Sequence, residues 1–433
     1  MEADLDDPSK NTELAAPQLR LTFGERLPDG SIVDPVAPKD GATLELIHCT
    51  GSGKVRVAPL IECGSVIYQA PDLHPSVRGA VIFPRGAADY GTMAELFAKI
   101  FSAYRERAEL PENLSALAAS WTLATWVTEF IVIPLTLCVS GAPTYQIHTL
   151  FRLFSKLCHR ALLVAELSRH LPFSLRPTPI IEDPQISAKS RTFWRAANSP
   201  GTFVGGTGGT LCQLSCPKIV LVRPEDSPDC WGEEALQLML PQSELPDLSN
   251  QTLTAIADEF QPQLEMFRLR LLSGTHQFSS TSHPLAKFAL ARNLGVCVPE
   301  DPAVVAMLTP LVESRQEGIL AQRSCDPRVA TLEAIWTPSH QQDQMSVAEI
   351  TKRVNAILHS RGLNHEYSVK EIGWKLRNLG LSTSRTGKGK ELRFAENHGE
   401  IHYYARQFRM QLSFVKNCTD CQETQAAEGK RVV

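Results

Sequence analysis

Two serine-to-glutamate pairs near the end of the chain constrain its folding more than any other feature. Ser346-Val-Ala-Glu349 and Ser368-Val-Lys-Glu371 each have the form of a capping box. In such a box the serine hydroxyl accepts from an early backbone N–H and the glutamate reaches back to the cap N–H, so each pair fixes a helix start. Behind the first pair, Val347, Ile350, Val354, Ile357 and Leu358 recur at helical spacing; behind the second, Val369, Ile372, Leu376 and Leu379 do the same. Gly362 and Gly380 stand where each helix needs a left-handed C-terminal residue.

After Gly380, the run from Leu381 to Phe394 reads as two short strands joined by a basic glycine turn, and a last helix is expected from about Ala395 to Met410. Helix, turn, helix and basic hairpin together predict a winged helix over 345–416. Its second helix exposes Lys370, Lys375 and Arg377, and its hairpin Arg385, Lys388, Lys390 and Arg393; all seven can lie on one side. The net charge of −4 conceals this module: residues 345–416 hold 13 Lys/Arg against 6 Asp/Glu, whereas residues 1–344 hold 28 against 38. A basic module on an acidic body points to nucleic acid as the partner of that module. Phosphate contacts from such groups give salt-sensitive, mostly sequence-independent affinity. Solvated faces and protein-contact surfaces also carry clustered cations, and both stay open beside DNA.

The body divides by pattern. Residues 1–18 are polar and acidic and are expected to be disordered. Residues 19–90 read as a small β-rich module, with Leu44, Leu46, Ile47, Val55, Val57 and Val66–Tyr68 punctuated by Gly and Pro. Residues 91–133 read as a helical connector, in which Leu96, Phe97, Ile100 and Tyr104 mark one helix face. From 134 to 320, short apolar runs alternate with helical stretches, which predicts an α/β core built on a parallel sheet. Residues 321–344 read as a polar, Pro-containing linker and 417–433 as a tail. The most apolar stretch, Leu123–Ala142, contains Glu129 and Pro134, so a buried helix followed by a buried strand is expected there instead of a membrane span. The acidic start Met1–Asp7 is no secretory signal, and eleven irregularly spaced cysteines suit reduced thiols; a cytoplasmic protein is expected.

Within the core, the strand Leu135–Val139 leads into Ser140-Gly141-Ala142-Pro143-Thr144-Tyr145 and then a helix holding Leu150 and Leu153. The stretch Arg176-Pro-Thr-Pro-Ile-Ile-Glu182-Asp183 ends a second strand in two acids, and Lys218–Val222 forms a further strand. This order resembles P-loop NTPases of the RecA-like/AAA+ type found in helicase-like proteins of bacterial mobile elements. The resemblance implies a phosphate loop at Gly141, a Mg²⁺-holding acid pair at Glu182 and Asp183, a sensor strand at Lys218–Val222 and a winged helix behind. The loop departs from G-x-x-x-x-G-K-[ST]: counted from Gly141, the second glycine is Gln146, the lysine Ile147 and the hydroxyl residue His148, with Thr149 one place late. The expectation is therefore a degenerate nucleotide site (Gly141, Thr149, Glu182, Asp183), without hydrolysis and without a bound ATP or Mg²⁺. The chain would be a DNA-associated helicase- or primase-like protein whose core is a scaffold, with no membrane partner and with homo-oligomerisation open. Two alternatives remain: an active ATPase with an atypical loop, in which Arg152 or Lys156 replaces the missing lysine, and a ligand-responsive transcriptional regulator.

Three other signals are read as structural. Thr50-Gly-Ser-Gly-Lys54 sits between two β runs and reads as a hairpin turn. Gly205–Thr210 reads as a loop. Cys418-Thr-Asp-Cys421 is a single C-x-x-C in a polar tail; zinc needs four ligands, and His398 and His402 nearby have no geometric tie to it in the sequence, so no metal site is expected.

Overall fold

The structure is a computed structural model. It describes residues 17–422 apart from 39–42, 132–134, 142–143, 166–170, 183–192, 194–195, 200, 206–210, 224–234, 242–247, 275–282, 289–290, 296, 388, 409, 411–414 and 416–417. The disorder expected for 1–18 lies outside the described residues as far as 16, and Gln18 begins a strand. The chain forms two compact units, residues 1–315 and 316–433, with the boundary inside the helix Pro302–Ser324.

The first unit opens with seven short strands: β1 (Gln18–Leu21), β2 (Glu25–Arg26), β3 (Ile32–Val36), β4 (Glu45–Cys49), β5 (Val55–Ala58), β6 (Leu60–Cys63) and β7 (Val66–Gln69). β2 to β5 form an antiparallel sheet in sequential order, while β7 pairs in parallel with β1 and antiparallel with β6. The turn between β4 and β5 is the Thr50–Lys54 hairpin, closed by Thr50 N–H donating to the Lys54 carbonyl at 2.9 Å, with Gly53 at φ +79°.

Two helices follow, Met93–Arg107 and Glu112–Thr125. A Thr92/Glu95 capping box starts the first, and its buried face is Leu96, Phe97, Ile100 and Tyr104, as the spacing predicts. The second is buried from Leu114 to Thr125. Among the described residues no helix is long and apolar enough to cross a membrane.

The α/β expectation is met by a five-stranded sheet of β8 (Thr136–Ser140), β9 (Ala161–Val164), β10 (Thr178–Ile181), β13 (Lys218–Leu221) and β14 (Leu236–Met239). A separate antiparallel pair, β11 (Phe203–Gly205) and β12 (Leu211–Gln213), lies between β10 and β13 in sequence; the intervening 206–210 are outside the described residues. The order across the large sheet is β14-β8-β13-β10-β9, all parallel. β8 is therefore internal, and Leu137 and Val139 are fully buried, which is why its sequence reads as an apolar run.

A buried ionic network joins the β-rich module to this sheet and its helices. Asp34 on β3 pairs with Arg160, just before β9, and accepts from Arg268 Nε at 2.7 Å. Arg268, on the helix Asn250–Leu272, also donates from both terminal nitrogens to Glu129, at 2.7 and 2.8 Å, and to the Trp126 carbonyl at 2.7 Å. Burial alone would raise the Asp34 carboxyl, but Arg160 and Arg268 outweigh it and hold the acid well below the carboxylate range. Against the same penalty Arg268 brings Glu129 to about 2. The module thus belongs to the core of the first unit.

The second unit corrects the expected linker. Residues 321–344 are not an open connection: the helix Pro327–Ser339 puts Ala330, Leu332, Ile335 and Trp336 into the same apolar core as Ile350, Val354, Ile372 and Leu376. Mostly polar residues flank this helix on both sides, at 322–326 and 340–344, so the segment as a whole reads as polar. The order is then β15 (Gln344–Ser346), helix Val347–Ser360, helix Val369–Asn378, β16 (Thr383–Thr386), β17 (Gly389–Arg393) and helix Phe394–Gln407. β17 lies between β15 and β16, antiparallel to both.

Both helix starts fall at the serines foreseen. Ser368 and Glu371 form the complete reciprocal box; Ser346 caps Glu349 N–H, while the Glu349 carboxylate turns to Arg353 at 3.2 Å. Both ends are closed by the paired bonds of a Schellman motif. Leu363 N–H donates to the Leu358 carbonyl (3.0 Å) and Leu381 N–H to the Leu376 carbonyl (2.9 Å), around Gly362 at φ +84° and Gly380 at φ +70°. Val369, expected inward, is 47% exposed. It is the first residue of its helix, which meets the core one turn later at Ile372.

Candidate functional site

Of the expected nucleotide-site residues, Gly141 and Glu182 directly follow β8 and β10 at the carboxyl end of the parallel sheet, where open α/β sheets bind ligands. Gly141 follows β8 at φ +100°, and a Cβ there would stand 2.6 Å from the Leu240 carbonyl oxygen. Leu240 N–H donates to the Ser140 carbonyl at 2.8 Å, so this glycine lets the backbone leaving β8 pass against the end of β14. Packing accounts for it without a phosphate.

The helix Thr144–Leu157 begins next. Ile147, in the lysine position of the motif, is buried, and Ser140–Thr149 contains no lysine or arginine. Thr149 is buried too, with its hydroxyl 3.4 Å from the Tyr145 carbonyl of its own helix. His148 Nδ1 lies 2.9 Å from Glu182 Oε1, and both side chains are partly exposed. β13 lies between β8 and β10, so loop strand and acid strand are not neighbours, yet this His–Glu pair spans their ends. Asp183 lies outside the described residues. The pair can exchange a proton and accept a cation on the carboxylate; it offers no fixed positive charge to a triphosphate. Of the two possible substitutes for the lysine, Arg152 donates to the Asn250 side chain at 2.8 Å and Lys156 lies in the last turn of the helix. Lys218 begins β13, at the amino end of a strand, and is wholly buried; its ammonium donates to Asn198 and to the Cys216 carbonyl, and burial lowers it to about 8.

In the second unit the candidate DNA contacts separate into groups. On the helix Val369–Asn378, Lys370 and Arg377 are exposed and Lys375 is half-buried. The helix also presents Trp374, 57% exposed; with Ile372 and Leu376 inward, helical spacing puts position 374 on the opposite face. The Lys370 ammonium sits 5.4 Å from the Trp374 ring centre and Lys375 4.8 Å from that of Tyr367. On the hairpin, Arg385 and Lys390 are directly opposite across the strand pair, so they share one face. Like charges in this position repel unless an anion lies over them. Arg393 points to the other face by the alternation of β17 and pairs with Glu396 at 3.2 Å, which corrects the expectation of seven cations on one side. Lys388 lies outside the described residues.

A second correction concerns Cys418 and Cys421. Both are buried, free thiols, and His402 and His340 converge on them. His340, immediately after the helix Pro327–Ser339, is the residue the sequence reading lacked, because 78 positions separate it from Cys418.

No family model matches the chain, and no curated protein is significantly similar to it. Among solved structures, an A-form apo structure of the NrS-1 C-terminal region is 9% identical, covering 83% of this chain and 96% of that one, with a TM-score of 0.33. A second structure of that region is 10% identical over the same coverage, with a TM-score of 0.31. Likeness at this level transfers no activity.

Proposed function

We propose that the protein is DNA-associated, that its C-terminal unit is a winged helix making the contact, and that its α/β unit is a helicase-like P-loop scaffold whose nucleotide site has lost its lysine. The observation that carries this reading is the exposed, like-charged Arg385/Lys390 pair on the hairpin. An antiparallel pair that sets two cations opposite each other is destabilised in isolation and relieved by a polyanion. Lys370 and Arg377 beside Trp374 supply the same chemistry on the helix: cations for phosphate and an aromatic face for a base or sugar. For the scaffold, support comes from the parallel sheet with Gly141 and Glu182 at its carboxyl end, and from Ile147 and His148 in place of the lysine and hydroxyl.

The test is DNA binding by the full chain across a salt series, for the wild type and for the Arg385→Ala/Lys390→Ala double variant. The logarithm of the wild-type affinity is expected to fall linearly with the logarithm of salt, and the double variant to bind more weakly with a slope shallower by about 2, for two lost phosphate contacts. Absence of salt-dependent binding to duplex or single strand at low salt would overturn the reading and make this surface a protein-contact face.

A further inference from the structure

We infer that His340, His402, Cys418 and Cys421 form a structural zinc site in the C-terminal unit. Their ligating atoms all lie within 4.8 Å of one another. The two imidazole Nε2 atoms are 3.2 Å apart, His402 Nε2 is 3.5 Å from Cys418 Sγ, and His340 Nε2 is 3.6 Å from Cys421 Sγ. A tetrahedral zinc with ordinary bond lengths separates two nitrogens by about 3.3 Å and a nitrogen from a sulfur by about 3.5 Å. Three of the six ligand–ligand distances therefore already match the edges of a zinc tetrahedron, and the rest lie within 4.8 Å.

The chemistry of the set agrees with its geometry. Two thiolates neutralise the dication and two neutral imidazoles complete four-coordination, a donor set that selects zinc over hard cations. His340 Nδ1 lies 2.8 Å from the Trp336 carbonyl. Donation to that carbonyl places the proton on Nδ1 and leaves Nε2 free to ligate, the outer-shell arrangement expected of a metal-bound histidine. Four protein ligands leave no open position, and His402, Cys418 and Cys421 are all buried, so the site is structural and not catalytic.

His398 stands beside the four. Its Nε2 is 3.3 Å from Cys418 Sγ and 3.7 Å from Asp420 Oδ2. His398, His402, Cys418 and Asp420 form a competing group. We assign the metal to the set with two thiolates, because Asp420 is only half-buried and a second sulfur binds zinc in a dry site better than a carboxylate does. His398 is then a positioning residue that hydrogen-bonds the Cys418 thiolate.

The site's place in the fold gives it a purpose. Cys421 and His340 are 81 positions apart, and all seven candidate DNA-contacting residues lie between His340 and His402. Binding the metal would clip the segment after the last helix to the end of the helix Pro327–Ser339, closing the loop that carries the DNA-facing helix and hairpin. Because the clip forms only in the folded unit, its binding energy becomes folding energy.

The test uses untagged, reduced full-length protein and metal analysis by mass spectrometry. One zinc per chain is expected, with Cys418→Ser and Cys421→Ser reduced to a trace and His398→Ala still loaded. To avoid dependence on variants that fail to fold, the wild type is also stripped and refilled with Co²⁺; tetrahedral d–d bands with a thiolate charge-transfer band are expected. Titrating the zinc-loaded wild type with a mercurial should release the metal only after the more exposed thiols, Cys63, Cys212 and Cys325 among them, have reacted and the buried Cys418 and Cys421 are reached. No zinc and no Co²⁺ spectrum in reduced wild type would overturn the proposal. So would a Cys421→Ser variant that stays loaded while His398→Ala is emptied, since the metal would then belong to the competing group. These outcomes are independent of whether the protein binds DNA.

Discussion

The two units use charge in opposite ways. In the first, which carries the acidic excess, opposite charges are buried and matched: Asp34 and Glu129 against Arg160 and Arg268, while burial and Asp34 push the nearby Glu265 carboxyl well above the usual range. In the second, the core is apolar from Ala330 to Cys421 and the cations lie outside, some of them opposed to one another. A buried matched pair is a device for holding elements in place, costly to break and no stronger than good apolar packing. An exposed unmatched pair does nothing for the fold and calls for a partner. The charges of the first unit serve its architecture, and those of the second leave a surface on which the proposed DNA contact can be tested.

The hardest way to break that contrast is Asp34→Ala. It would leave Arg160 and Arg268 facing each other in the interior, at a cost of about 3–5 kcal/mol, read as an earlier unfolding transition of the first unit in denaturant. If Asp34→Ala were as stable as the wild type, the network would not hold the β-rich module to the sheet.

Acid sharpens the contrast. Asp34 and Glu129 are held below the ordinary carboxylate range, so the unfolded chain takes up protons first as pH falls. Their stabilisation is complete above about pH 4.5 and drains as pH falls toward and below about 2. His159, lowered to about 3 by burial and by Arg160, acts in the same direction from about pH 6.5 downward. Glu265 is raised, so it opposes them by losing stability as pH rises, but below about pH 4.3 its contribution no longer changes. The first unit should therefore lose stability steeply below about pH 4, followed by circular dichroism; a flat profile there would show that the ion pairs are not formed in solution.

The smallest effect tests the second unit's local construction. Ser368→Ala removes the hydroxyl that caps the helix Val369–Asn378 and should cost about 1 kcal/mol. The Glu371 carboxylate keeps its bond to the cap N–H at 2.8 Å, so the loss should stay near that size, and a loss several times larger would mean that the serine holds more than the cap.

How much could be foreseen follows the same division. The capped helices, their glycine ends, the basic hairpin and the run of parallel strands were legible because capping, periodicity and turn chemistry act within a few residues. Gly141 and Glu182 could be assigned to the carboxyl end of the sheet because strand order carries them there, whereas the bond between His148 and Glu182 needed the fold. The helix Pro327–Ser339 is masked in the sequence by its flanks: residues 322–326 and 340–344 are mostly polar, and they make 321–344 read as a linker when it is averaged as one window. The buried Asp34 network left no local mark, since burial depends on what packs against a residue.

Short-range chemistry was thus enough for the two serine-capped helices, the hairpin and the basic character of the C-terminal unit. Only the tertiary structure decided that Asp34 meets Arg268 across 234 positions, and that His340 and Cys421 meet across 81. The physical reason is that such groups gain nothing from their sequence neighbours. Their pairing is created by the packing of the elements that carry them, and no spacing rule records it.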